Sequence, residues 1–375
     1  MPDVIYRSAL PSDRDAILDF ANYVFSISKQ PHDFRSLLPK VYGVQASDQA
    51  ARHYLAERNG KILALVGVRP LNLYHGSHCL CGGFVGSVSV HPYARHEGHM
   101  RRVMQLMLDH ESGLDFLALG GQRQRYGYWG FTQAGVSADY LVTPSNIRHA
   151  LRNMELPDLK LIPWDSSIAP EAACQMLALQ ESTLCYVKRT AGEFPYVLRS
   201  WNSQPYLIAY NGNYVGYLAE TADHRITEIQ LVPECPDSYL LSVIRQLASE
   251  YPVTFSFAPW DKRNIRLVSS LAEGQHLDTR NMLRIQNWQK VLNFMFALQS
   301  ALRPVAESTY SFSPSGLAVT YANRHISILS SESGESPDPA SLQDQFFSPS
   351  HLLVPSGMPE GWTPLPFFLY DSDTF

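Results

Sequence analysis

With 375 residues, 45% of them hydrophobic and 17% charged, the chain is too long for one ordinary core and too apolar to stay unfolded, so two or three domains are expected. Thirty basic against thirty-five acidic residues give a net charge of −5 with no basic stripe, which argues against nucleic acid as a partner and is compatible with a cationic substrate. Five scattered cysteines, no leader pattern at the N-terminus and no apolar run near the ~20 residues of a membrane helix point to a soluble, cytoplasmic protein without a membrane partner.

In chain order, residues 4–9 read as a strand. The spacing of Ile17, Phe20, Ala21, Val24 and Phe25 then predicts an amphipathic helix. Residues 54–58 and 62–68 flank Asn59-Gly60, a pair that accepts positive φ at both positions, and so predict a hairpin. A strand over residues 84–90 runs into His91-Pro92-Tyr93-Ala94, then Arg95-His96-Glu97-Gly98-His99-Met100-Arg101. Met100, Val103, Met104, Met107 and Leu108 mark the apolar face of the helix that follows. Residues 114–119 form a short buried strand, succeeded by Gly120-Gly121 and Arg125-Tyr126-Gly127-Tyr128-Trp129-Gly130-Phe131.

The plan then recurs. Tyr206-Leu207 and Asn211-Gly212 repeat Tyr54-Leu55 and Asn59-Gly60 at the same spacing, and residues 214–219, 227–232 and 240–247 supply the next two strands and a helix. This order of elements points to a degenerate duplication. Beyond residue 283 the pattern changes to a helix over 288–302, strands over 317–321 and 325–329, and a polar loop over 330–340 that should be exposed. The last ten residues include Phe367, Phe368, Tyr370 and Phe375, so the terminus is expected to dock.

The stretch from Phe84 to Phe131 carries the chemistry. Gly98 lets the backbone approach a ligand, and the helix N-terminus behind it offers unpaired N–H groups and a positive dipole end. Arg95, His96, His99, Arg101 and Arg102 add positive side chains, so a pyrophosphate is the anion that suits this turn. An Arg-x-x-Gly before a helix is common and weak in isolation. Tyr126, four residues before the Gly130-Phe131 pair and just after a short strand, completes a second motif.

Residues 1–150 resemble the GNAT superfamily of acetyltransferases, and the whole chain resembles the enhanced intracellular survival protein family. The resemblance implies an α+β fold: a catalytic GNAT domain over residues 1–150, a degenerate GNAT-like domain over 151–282, and a sterol-carrier-protein-like α/β domain over 283–375. It implies acetyl-CoA as co-substrate, held by Val88, Ser89, Val90, Arg95, His96, Glu97, Gly98, His99, Met100, Arg101, Gly121 and Gln122. Met100 departs from the small residue usual at the third loop position. The resemblance also implies Tyr126 as the acid that protonates the leaving thiolate, and the α-carboxylate of Phe375 as the base for a small-molecule or lysine amine. A free α-carboxyl titrates near ~3.5 and needs desolvation to act as a base at neutral pH. A homo-oligomer, a hexamer, belongs to the same picture.

Other readings rank lower. His75, His78, Cys79 and Cys81 have metal-ligand chemistry, but Cys-x-Cys is a poor zinc spacing and no second Cys/His pair stands out, so no metal is expected. The rival to an enzyme is a non-catalytic protein that holds an apolar ligand in the sterol-carrier-like domain.

Overall fold

The computed structural model describes residues 3–28, 31–47, 50–165, 168–312, 317–330 and 338–375. The first strands are β1 (Ile5–Ser8), β2 (Arg52–Arg58), β3 (Lys61–His75), β4 (His78–Val90), β5 (Phe116–Leu119) and β6 (Thr132–Ala134). Next come β7 (Ser137–Val142), β8 (Lys160–Pro163), β9 (Tyr186–Val187), β10 (Ser203–Tyr210), β11 (Asn213–Thr221), β12 (Arg225–Leu231), β13 (Val253–Phe257) and β14 (Gly274–Asp278). The chain continues with β15 (Asn281–Ile285), β16 (Ser308–Phe312), β17 (Leu317–Ala322) and β18 (His325–Ser330).

Both Asn-Gly hairpins form. Asn59, Gly60, Asn211 and Gly212 all take positive φ, and the turns set Arg58 opposite Lys61 and Tyr210 opposite Asn213. The first sheet has the order β1-β2-β3-β4-β5-β15-β6, with β9 added to β3; the second has β8-β10-β11-β12-β13-β7-β14. The two repeat one plan: antiparallel strands up to β4 or β12, a parallel neighbour in β5 or β13, then two further antiparallel strands.

The sixth strand is exchanged between them. β15 follows the whole second sheet in sequence yet lies between β5 and β6, while β7 comes directly after β6 in sequence yet lies between β13 and β14. The sheets therefore do not divide at residues 150 and 282. Apolar alternation marks a strand as half-buried but carries no record of which sheet receives it.

The helix Arg14–Ser28 packs Ile17, Phe20, Ala21 and Val24 into the core that includes Leu65, Phe84 and Phe116. On the other face the helix His99–His110 packs Val103, Met104, Met107 and Leu108 against Val66, Val68, Val85 and Leu117. The C-terminal part places the helix Trp288–Leu302 on the sheet β16-β17-β18 and the helix Pro339–Phe347 on β6 and β15. Phe296, Phe312, Tyr321, Phe346 and Trp362 fill its interior with rings in contact. Most of the polar loop expected over 330–340 lies outside the described residues. Among the described residues no helix is long and apolar enough to cross a membrane.

Candidate active site

β4 pairs with β5 only where Gly82, Gly83 and Phe84 face Phe116, Leu117 and Ala118. It then runs on to Val90 with β3 as its only ladder partner. On that side the ladder shifts register between Leu65, opposite Ser89, and Gly67, opposite Gly86; Ser87 takes a φ of 51°. One extra residue on β4 makes a bulge, which bends the strand end and opens a wedge between β4 and β5. Val88, Ser89 and Val90 form the β4 edge of that wedge.

The wedge leads to the loop foreseen from sequence. His96 and Gly98 both take positive φ, 69° and 81°, and Gly98 is the N-cap of the helix His99–His110 with no side-chain cap. The helical ladder begins with the Arg102 N–H donating to the Gly98 carbonyl at 3.4 Å. The amides of His99, Met100 and Arg101 thus have no partner in their own helix, which is the arrangement that receives an anion. Arg95, His96 and Arg101 are exposed at the rim.

One expectation about this loop needs correction. The His99 side chain is turned inward, away from the rim: the ring is buried, with Nδ1 2.7 Å from the Tyr6 hydroxyl and Nε2 3.1 Å from Glu97. Glu97 is itself paired with Arg58 at 2.9 Å, and Arg58 and His99 hold its carboxyl below the usual range. These contacts fasten the loop to β1 and the first hairpin. Met100 packs its side chain at the edge of the core under the helix, so its bulk leaves the turn unaltered.

After β5, Gly121 and Gln122 turn the chain into the short helix Arg123–Tyr126, where the Gln122 carbonyl accepts from the Arg125 and Tyr126 amides. A Cβ at Gly121 would lie 2.4 Å from the Tyr126 ring, so the glycine lets that ring fold back over the strand end. Tyr126 is buried in the core that also holds Val85 and Leu119. Its hydroxyl makes no hydrogen bond among the described residues. Burial pushes the phenol above its ordinary value, with Arg125 opposing, so it carries its proton at neutral pH.

Phe375 docks on the opposite face of the same sheet. A Cβ at Gly67 would lie 2.5 Å from its ring, and a Cβ at Gly86 would lie 2.5 Å from its terminal oxygen. The ring centroid is 6.1 Å from that of Tyr42 and 6.0 Å from that of His53. Tyr42 bonds to both neighbours, His53 Nε2 at 3.0 Å and Ser87 Oγ at 2.8 Å on the bulge. Burial pulls the His53 imidazole down to about 4, so it is neutral at physiological pH. Among the described residues no cation forms an ion pair with the terminal carboxylate. A methyl group at Gly86 has no room beside it, so Gly86→Ala should displace the terminus; a crystal structure of the variant should show Phe375 moved from the bulge.

The tail is held by groups that sequence reasoning missed. Lys40 Nζ donates to the carbonyls of Ser372 and Thr374. Arg69 donates to that of Asp373 at 3.4 Å, and Trp201 to Thr374 Oγ1 at 2.9 Å. Arg189, fully buried, makes two bonds to Glu228 at 2.9 Å and two to Asp373 at 2.8 and 2.9 Å. Tyr217 and Ser372 each donate to Glu228 at 2.7 Å. The one sequence signal for this cradle was Gly67 and Gly86 inside strands, where glycine marks close backbone approach. Among the described residues no three metal-ligating side chains come together; Cys79 and Cys81 lie on β4, two residues apart.

A wedge between two parallel strands, opening onto an uncapped helix N-terminus, defines an N-acetyltransferase fold. Residues 5–119, under a third of the chain, match the acetyltransferase (GNAT) domain family. Among solved structures the chain is similar to a GCN5-related N-acetyltransferase from Anabaena variabilis, at 18% identity and a TM-score of 0.63, covering 92% of this chain and 90% of that one. A protein from Enterococcus faecalis described as a probable N-acyltransferase gives 15% identity and a TM-score of 0.63 over 88% and 85% of the two chains. Eis1 from Mycobacterium abscessus gives 14% and 0.58 over 91% and 88%. These likenesses show the fold. No curated protein matches the chain in sequence.

Proposed function

We propose that the protein transfers the acetyl group of acetyl-CoA to a primary amine on a small molecule or a lysine. One observation carries this reading: the Phe375 carboxylate, free of any paired cation among the described residues, lies on the β4 bulge beside the wedge. The pantetheine arm of the co-substrate would lie along Val88, Ser89 and Val90, with its pyrophosphate on the amides of His99 to Arg101 and on Arg95. Backbone N–H groups at the β4 edge would receive the carbonyl oxygen as it gains charge.

An acceptor must approach from the Phe375 side. Tyr42 and His53, the neighbours of the Phe375 ring, stand on the wall of a cleft of about 710 Å³. The attacking amine gives its proton to the carboxylate, and Tyr126, approaching from the other face, returns one to the thiolate. A neutral His53 supports this division, because an imidazolium would pair with the carboxylate and weaken it as a base. Tyr126→Phe should therefore lower the rate of CoA release about 10²-fold or more while acetyl-CoA affinity holds. An unchanged rate would return Tyr126 to a packing role.

The second sheet serves as scaffold in this reading. Its counterpart of the loop, Pro233-Glu234-Cys235-Pro236-Asp237, puts Asp237 in the first helical turn, where Arg263 and Arg266 pair with it at 2.9 and 3.3 Å. A carboxylate there repels phosphate. The C-terminal part, sterol-carrier-like in this proposal, is a scaffold too: the rings that fill its interior support delivery of Phe375 over capture of an apolar ligand. A homo-oligomer, a hexamer, in the cytoplasm completes the proposal.

A further inference from the structure

A second cleft, of about 590 Å³, lies between β3 and the segment 188–193. Lys40, Arg69, Lys188 and Arg189 wall it, and among the described residues Glu193 is the one carboxylate that lines it. Two of these cations are already matched: Lys188 pairs with Glu181 at 2.6 Å, and Arg189 with Glu228 and Asp373. The other two are not. Lys40 and Arg69 are 3% and 5% exposed, and among the described residues no carboxylate comes within hydrogen-bond distance of either; the nearest is Glu193, 3.9 Å from Arg69.

Lys40 reaches two backbone carbonyls. Arg69, with five N–H donors, has one 3.4 Å bond to a carbonyl and a distant Glu193 at 3.9 Å. A buried guanidinium ordinarily finds a bidentate acceptor, because leaving its donors unmatched costs the desolvation of the charge. Burial accordingly pulls both groups below their ordinary values. Arg69 shares the face of β3 with Gly67 and Leu71, away from the helix His99–His110. The cleft is thus distinct from the Gly98 loop.

We propose that this cleft binds a small oxyanion-bearing molecule, a carboxylate or a phosphate, received by Arg69 with Lys40 behind it. The test is a calorimetric titration with inorganic phosphate and, separately, with glutarate. It uses full-length Gly98→Asp protein, in which the helix loop repels anions, so the result does not depend on whether acetyl-CoA binds. Saturable binding of either anion at one site is expected, and the anion that binds names the class. Arg69→Gln should weaken it at least about tenfold, as expected for one charged hydrogen bond. Glu193→Gln, at a half-exposed position, should strengthen it by removing the nearest negative charge. Unsaturable heats with both anions, or equal affinity in the Gly98→Asp parent and both variants, would overturn the proposal.

Discussion

Deleting Phe375, or extending the chain with a C-terminal tag, should cut turnover about 10²–10⁴-fold, the range of a lost general base, with acetyl-CoA affinity nearly unchanged. The two quantities separate because the carboxylate lies at Gly86 on one face of the sheet, whereas the unpaired amides belong to the helix on the other. Deletion also removes the ring from between Tyr42 and His53, so the terminal carboxylate of a shortened chain cannot take its place. Steady-state CoA release on a verified amine, beside calorimetry with acetyl-CoA, reads both. A loss under about tenfold would be too small for a general base and would make the terminus packing alone.

The largest effect on stability is expected at Arg189. Among the described residues its guanidinium is the only cation paired with Glu228, and it also holds Asp373; all three side chains are buried. Arg189→Met leaves two carboxylates facing each other in the interior, and breaking a buried pair in this way costs about 3–5 kcal/mol. The charge, more than the packing, should account for most of it, since Met keeps much of the stem. Adding Glu228→Gln to Arg189→Met should restore part of the loss by removing one carboxylate. Denaturant unfolding measures both; a loss below about 1 kcal/mol, the scale of an exposed pair, would mean that water reaches the network.

The elements that decide the fold were legible where local chemistry fixes them. Asn59-Gly60 and Asn211-Gly212 dictate turns, and the spacing of Val103, Met104, Met107 and Leu108 dictates a helix face. The loop at Gly98 was legible because positive φ and an uncapped helix leave a mark in residue type. The exchange of β7 and β15 was not, since two similar sheets offer equivalent slots and the choice depends on the path of the intervening chain. Nor was the clamp on the tail. Lys40, Arg69, Arg189 and Glu228 are scattered across nearly 190 residues and acquire meaning only when the last five residues arrive among them. The same holds for His99, read as a loop cation but drawn inward by Tyr6, a partner 93 residues away.

Titration calorimetry with acetyl-CoA on wild type, Gly98→Asp and Gly98→Asn reads whether the Gly98 loop holds the co-substrate. Gly98 has open space around its Cβ position and a φ of 81°, a region that Asp and Asn tolerate better than other residues, so both variants should fold. One acetyl-CoA per wild-type chain is expected, with a partial loss of affinity in Gly98→Asn and no detectable binding in Gly98→Asp, where a carboxylate meets the pyrophosphate. Wild type that takes up no acetyl-CoA at millimolar ligand, or two molecules per chain, would contradict this expectation.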